Sequence, residues 1–137
     1  MRNVMRVGAV GLVLSLSSGC AAAQVSAPPA AAVYTPLVRG WEQFFRITWE
    51  PFQRRGRPYV GGYVLNDWGL FATRVQLLVD GLDASGRVTS QSVAWLGSSV
   101  PPGSRVYFEV PAPQPAATYR VSVFAFDWLQ SASLQTP

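Results

Sequence analysis

The chain has 137 residues, 49% hydrophobic, with 11 basic residues, all Arg, against 7 acidic ones, no His and one Cys. Without His there is no His-based catalytic triad and no His-ligated metal, and a single Cys allows neither an intramolecular disulfide nor a thiolate zinc cluster. Charged residues make up 13% of the chain, about half the usual share of a soluble domain, which favours β-strands and Gly/Pro turns over charged helices.

Residues 1–19 read as an export signal. Arg2 and Arg6 form a basic start, Val7–Leu16 an apolar run, and Ser17-Ser18-Gly19 leads to Cys20. Small residues before a single Cys, directly after an apolar run, resemble the lipobox of bacterial lipoproteins. That resemblance implies cleavage before Cys20 and acylation of its thiol, which would anchor the chain to a membrane. Ala21 after the Cys, rather than Asp, resembles the outer-membrane sorting of Gram-negative lipoproteins and implies a domain facing the periplasm. Ala21-Ala22-Ala23 offers a competing A-x-A site for ordinary secretion. The apolar run is shorter than the roughly 20 residues that span a bilayer. Removing Arg2 and Arg6 leaves 9 Arg against 7 acids, a net charge of +2, too small for a nucleic-acid footprint.

Residues 20–40 are rich in Ala and Pro and carry no charge before Arg39, the composition of a tether. The folded domain is expected over 41–129, followed by a short polar tail, 130–137.

Within the domain, alternation of apolar and polar residues dominates, the mark of half-buried strands. Phe45, Ile47 and Trp49 share one face, with Phe44, Arg46 and Thr48 opposite. Tyr59–Leu65 is a second strand, interrupted by Gly61-Gly62, which predicts either a bulge or a close backbone approach. Val75, Leu77 and Val79 face inward, while Arg74, Gln76 and Asp80 face out. Asp83-Ala84-Ser85-Gly86 supplies a hairpin turn. The return strand, Arg87–Leu96, sets Gln91, Val93 and Trp95 on one side. After the rigid turn Pro101-Pro102-Gly103, Val106, Phe108 and Val110 alternate with Arg105, Tyr107 and Glu109. The last strand, Thr118–Trp128, carries Tyr119, Val121, Val123 and Ala125 on one face and Arg120, Ser122, Phe124, Phe126 and Trp128 on the other. Six or seven strands without a helical period predict an all-β, Ig-like antiparallel β-sandwich, with a small β-barrel as the alternative.

The run Gly62-Tyr63-Val64-Leu65-Asn66-Asp67, then Val75-x-Leu77-x-Val79, Leu82-Asp83-Ala84-Ser85-Gly86-Arg87-Val88, Val100-Pro101-Pro102-Gly103 and Phe108-Glu109-Val110-Pro111 resembles the FxLYD-type domains of bacterial exported proteins and lipoproteins. The resemblance covers roughly Tyr59–Asp127. It implies an Ig-like sandwich with an interaction or accessory role and brings no catalytic residues.

The acids are Glu42, Glu50, Asp67, Asp80, Asp83, Glu109 and Asp127, and no pair among them is assembled by sequence spacing as a glycosidase would need. No Ser has a neighbouring Lys or His to activate it. The expectation is a non-catalytic domain without cofactor or metal. Its candidate contact residues are aromatic and basic. Phe124, Phe126 and Trp128 form either a strip for sugar rings or a protein partner, or a strand end covered by the Trp41–Trp49 segment. Trp49 and Trp95 read as core. Trp68, in a loop after Asn66-Asp67, reads as exposed. Arg54, Arg55 and Arg57 form either a phosphate- or acid-binding loop or a solvated turn. The leading functional expectation is an envelope interaction module with a protein partner, and the alternative is a carbohydrate- or peptidoglycan-binding module.

Overall fold

The computed structural model describes residues 33–130, so the signal segment, Cys20, most of the tether and the tail 131–137 lie outside the described residues. After a short 3-10 turn, Trp41–Gln43, six strands follow: β1 (Phe45–Arg54), β2 (Arg57–Asn66), β3 (Phe71–Leu82), β4 (Val88–Trp95), β5 (Arg105–Pro111) and β6 (Thr118–Leu129). They form two three-stranded antiparallel sheets, β1-β2-β5 and β4-β3-β6. The fold is a two-sheet sandwich rather than a closed barrel.

The core between the sheets is aliphatic and tightly closed: Val60, Val64, Leu77, Val79 and Val123 have no solvent exposure, and Phe45, Phe108, Val110 and Val121 close around them. With no disulfide available, this apolar burial has to hold the domain, at roughly 25 cal/mol per Å² removed from water. Trp49 joins the sheets at their β1 and β6 edges, packing on the core and donating its indole N–H to the Tyr119 carbonyl at 3.1 Å. One free row of β6 carbonyls is thereby partly covered, as an edge strand requires.

The turns follow the residues that shape them. Arg55 and Gly56 both have positive φ, 50° and 72°, giving the two-residue hairpin whose twist matches antiparallel strands. Asp83 Oδ1 accepts the Ser85 N–H, the Ser85 hydroxyl and the Arg87 N–H, all at 2.9 Å or less. These bonds hold the Asp83 carboxyl at a pKa of about 2, below its usual range, with the Ser85 hydroxyl as the largest cause. Asn66, fully buried, donates its side-chain amide to the Leu70 and Val100 carbonyls at 2.7 and 2.9 Å, and its Oδ1 accepts the Trp68 N–H at 3.0 Å. Its carbonyl takes the N–H of Gly103 from the Pro101-Pro102-Gly103 turn. One side chain thus pins the loop after β2 to the turn before β5.

Gly61-Gly62 forms no bulge: the ladders on both sides of β2 run without a shift. It is instead a close approach, since a Cβ on Gly62 would collide with the Thr48 backbone. The shifts lie elsewhere. The β3–β6 ladder slips at Arg74, which has a φ of 51°, and again opposite Phe124. Each irregularity adds one residue to its own strand, so the two compensate, and each reverses which side chains face inward. In β3 the inward set passes from Ala72 to Val75, Leu77 and Val79; in β6 it passes from Val121 and Val123 to Phe126 and Trp128.

Strand β4 corrects a second expectation. Trp95 is 59% exposed rather than core. The inward positions of β4 are Ser90, Ser92 and Ala94, opposite Gly81, Val79 and Leu77. The hydroxyls of Ser90 and Ser92 are buried without a hydrogen-bond partner among the described residues. The large side chains of β4 consequently point outward.

Candidate functional site

The sandwich presents three surfaces to weigh: the outer face of each sheet and the end that carries Trp68.

The outer face of β4-β3-β6 is partly covered by the chain itself. Residues 33–37, assigned by sequence to the tether, lie across it. The Tyr34 N–H donates to Gln91 Oε1 at 2.6 Å, Gln91 Nε2 donates back to the Tyr34 carbonyl at 3.0 Å, and the Leu37 N–H reaches the Phe124 carbonyl at 2.8 Å. The Tyr34 ring meets Phe124 edge-on at 6.3 Å. Beneath and beside this strap, Leu78, Asp80 and Ser122 are buried although they sit on an outward row. Asp80 is satisfied there by Gln91 Nε2 at 2.8 Å and by Arg120 Nε and Nη2 at 3.0 and 2.6 Å.

The outer face of β1-β2-β5 is open among the described residues. In register, Glu50, Gly61 and Glu109 form one row across the three strands, and Thr48, Tyr63 and Tyr107 form the next. Phe52 and Tyr59 pair on the far side of the glycine, 5.5 Å apart. Tyr63 and Tyr107 meet edge-on at 5.2 Å, and the Arg105 guanidinium lies 4.5 Å from the Tyr63 ring centre. Arg54 pairs with Glu109 and lies over Phe52 and Tyr59. The Tyr107 hydroxyl donates to Glu109 at 2.9 Å, raising the Tyr107 pKa, while the Arg54 bond, followed by that of Tyr107, lowers the pKa of Glu109. A cleft of about 400 Å³ opens over Gly61 and Gly62.

At the third surface, Trp68 is 46% exposed, and Leu70, Phe71 and Leu129 are exposed to 39, 45 and 56%. Phe71 and Leu129 are register partners at the strand ends. Trp68 rests edge-on against Phe44, 5.0 Å between ring centres. Four exposed apolar side chains gather at one end of the sandwich, the kind of patch that marks a contact surface.

The sequence-selected residues therefore separate. Trp68 is exposed. Phe126 and Trp128 do not form an open strip with Phe124: the Phe124 bulge turns them inward, where Phe45 stacks on Trp128 at 5.7 Å and Phe44 and Phe45 meet Phe126. Phe124 itself lies under the strap. Of the basic cluster, Arg54 is engaged by Glu109 and the aromatic pair, while Arg55 and Arg57 are exposed in the turn. Sequence reading missed the Glu50, Tyr63, Tyr107 and Glu109 group, because these residues come from three strands and only register brings them together. The one local signal was Gly61, whose outward position leaves room for Phe52 and Tyr107 to lean over the strand. No group of three or more metal-ligating acids or thiols occurs among the described residues.

Compared with family models, curated proteins and solved structures, the chain matches none.

Proposed function

We propose that this chain is a non-catalytic, lipid-anchored binding domain of the bacterial cell envelope, held by acylated Cys20 and kin to the FxLYD-type domains. Its partner is an envelope protein, met at the apolar end formed by Trp68, Leu70, Phe71 and Leu129. One observation carries the reading: these four side chains stay exposed together although the same domain packs Phe44, Phe126 and Trp128, partly buried, against its core beside them. Clustered apolar surface of this kind is costly in water and is relieved by a partner. The export signal and the Ser17-Ser18-Gly19-Cys20 sequence support the address, with the domain on the periplasmic side of the outer membrane.

Two measurements test this. A photo-reactive phenylalanine in place of Phe71, in the native host, is expected to give an adduct with one envelope protein that disappears on Trp68→Ser. Absence of any adduct, or one indifferent to Trp68→Ser, sinks the contact surface. Intact mass of the membrane-extracted protein is expected to begin at Cys20 with acyl chains added. A soluble form beginning at Gln24 overturns the anchor and leaves the binding surface to be judged by the crosslink alone.

A further inference from the structure

We propose a second, independent site: the open face of the β1-β2-β5 sheet binds an uncharged pyranose unit of a glycan over Gly61. Two kinds of group recognise such a ring. Aromatic surfaces take its C–H faces, and acceptors fixed beside them take its hydroxyl protons. Register supplies both around one position. Along β2, the pair Phe52–Tyr59 lies to one side of Gly61 and the pair Tyr63–Tyr107 to the other. Across the strands, Glu50 and Glu109 flank it. The glycine lets Phe52 and the Tyr107 hydroxyl close in beside the strand, since a Cβ there would stand about 3 Å from both, and these two side chains wall the cleft. A cleft of about 400 Å³ lies at the small end of the range for ligand pockets.

Charge narrows the ligand. Glu50, the carboxylate that lines the cleft, accepts hydroxyl protons in charge-assisted bonds and disfavours uronic acids and phosphates. Glu50 has no ion-pair partner among the described residues. Its two oxygens are free to take adjacent hydroxyls. Glu109 keeps its orientation through Arg54 and Tyr107. Those same bonds lower its pKa. Arg54 and Arg105, lying on the aromatic rings, brace the platform.

The test uses the full ¹⁵N-labelled chain in detergent, titrated with β-1,4-linked glucose and N-acetylglucosamine hexamers, and with an oligogalacturonate as the anionic probe. A neutral hexamer is expected to shift the amides of Gly61, Gly62, Tyr63 and Tyr107. Glu50→Gln and Tyr107→Ala, both at exposed positions, should each weaken binding about tenfold or more, a change of about 1.4 kcal/mol, and Trp68→Ala should leave it unchanged. Three results would overturn the site: no shift at these amides at millimolar sugar, equal or tighter binding of oligogalacturonate, or shifts confined to the Trp68–Phe71 end. Because Trp68→Ala serves as the control, failure here leaves the protein-partner surface standing, and the reverse also holds.

Discussion

The two sheets of this sandwich are built alike and finished differently. Each has three antiparallel strands and one apolar face turned to the shared core. On β4-β3-β6 the outward rows carry Leu78, Asp80 and Ser122, and the chain's own residues 33–37 cover them. On β1-β2-β5 the outward rows carry Tyr63, Tyr107, Glu50 and Arg105, and no described residue crosses them. Alternation within a strand decides which residues share a face, but what lies over that face decides whether they are buried. The covered face is part of the stabilising interior, and the open one is available for contact.

Each face carries an arginine–carboxylate pair, and these respond most differently. Arg120 holds Asp80, whose side chain is only 3% exposed, whereas Arg54 holds Glu109, whose side chain is 31% exposed. Removing one partner of a buried pair strands an uncompensated charge, while an exposed pair contributes little. Arg120 is itself half exposed, so water and Gln91 soften the loss. Arg120→Met is expected to lower stability by about 2 kcal/mol, and Arg54→Met by less than about 1 kcal/mol, both read from urea unfolding. Equal losses would mean that the strap does not seal Asp80 from solvent.

The strap itself is the next lever. Gln91 gives and takes one hydrogen bond with Tyr34 and also donates to Asp80, so Gln91→Ala removes all three and is expected to cost about 2 kcal/mol. Hydrogen exchange should show faster exchange at the Tyr34 and Leu37 amides, with Val64 in the opposite sheet unchanged. If Leu37 keeps its protection, the Phe124 carbonyl and the Tyr34 ring hold the strap without Gln91.

A smaller effect separates the sheets in acid. Asp83 closes the β3–β4 hairpin of the covered sheet with its pKa lowered from 3.8 to about 2. A depressed folded-state pKa contributes stability above the unfolded value, and that contribution is lost as the pH falls from about 4 towards 2. Asp83→Asn is expected to flatten the fall in Tm across that window. A curve of wild-type steepness would show that other carboxylates govern acid sensitivity.

Much of this architecture was legible in the sequence. The strands follow their alternation, and Asp83, Gly86, Pro101 and Gly103 mark turns by their own backbone chemistry. The misread parity of β3 and β6 has one cause. Arg74 and Phe124 each insert a residue into a ladder, and nothing in a single strand's pattern announces an insertion that its neighbour compensates. A fixed parity therefore sets Phe126 and Trp128 opposite Val121 and Val123, and of the two readings of this strand end the structure has the covered one, with Phe44 and Phe45 of the Trp41–Trp49 segment against it. Large apolar residues usually face in, which sets Trp95 in the core, but the inward positions of β4 are Ser90, Ser92 and Ala94, beside Gly81, Val79 and Leu77 of the same sheet. The Ala/Pro composition of residues 20–40 says tether, yet Tyr34 and Leu37 find partners in Gln91 and Phe124, 57 and 87 residues on, a long-range match that no local pattern encodes.

The smallest expected effect lies on the open face and tests whether its polar groups behave as an exposed network. The Tyr107 hydroxyl donates to Glu109 in the folded chain, which raises the Tyr107 pKa above its ordinary value near 10. A raised folded-state pKa contributes stability below the unfolded value and loses it as the pH climbs through the folded one. Glu109→Gln replaces the carboxylate that accepts this bond with a weaker, neutral acceptor, so the Tyr107 ring carbon should titrate earlier by NMR. Because the face is open to water, Tm at neutral pH should hardly move. A large loss of Tm in Glu109→Gln would mean that this face is held as tightly as the covered one, and the contrast between the two sheets would fail there.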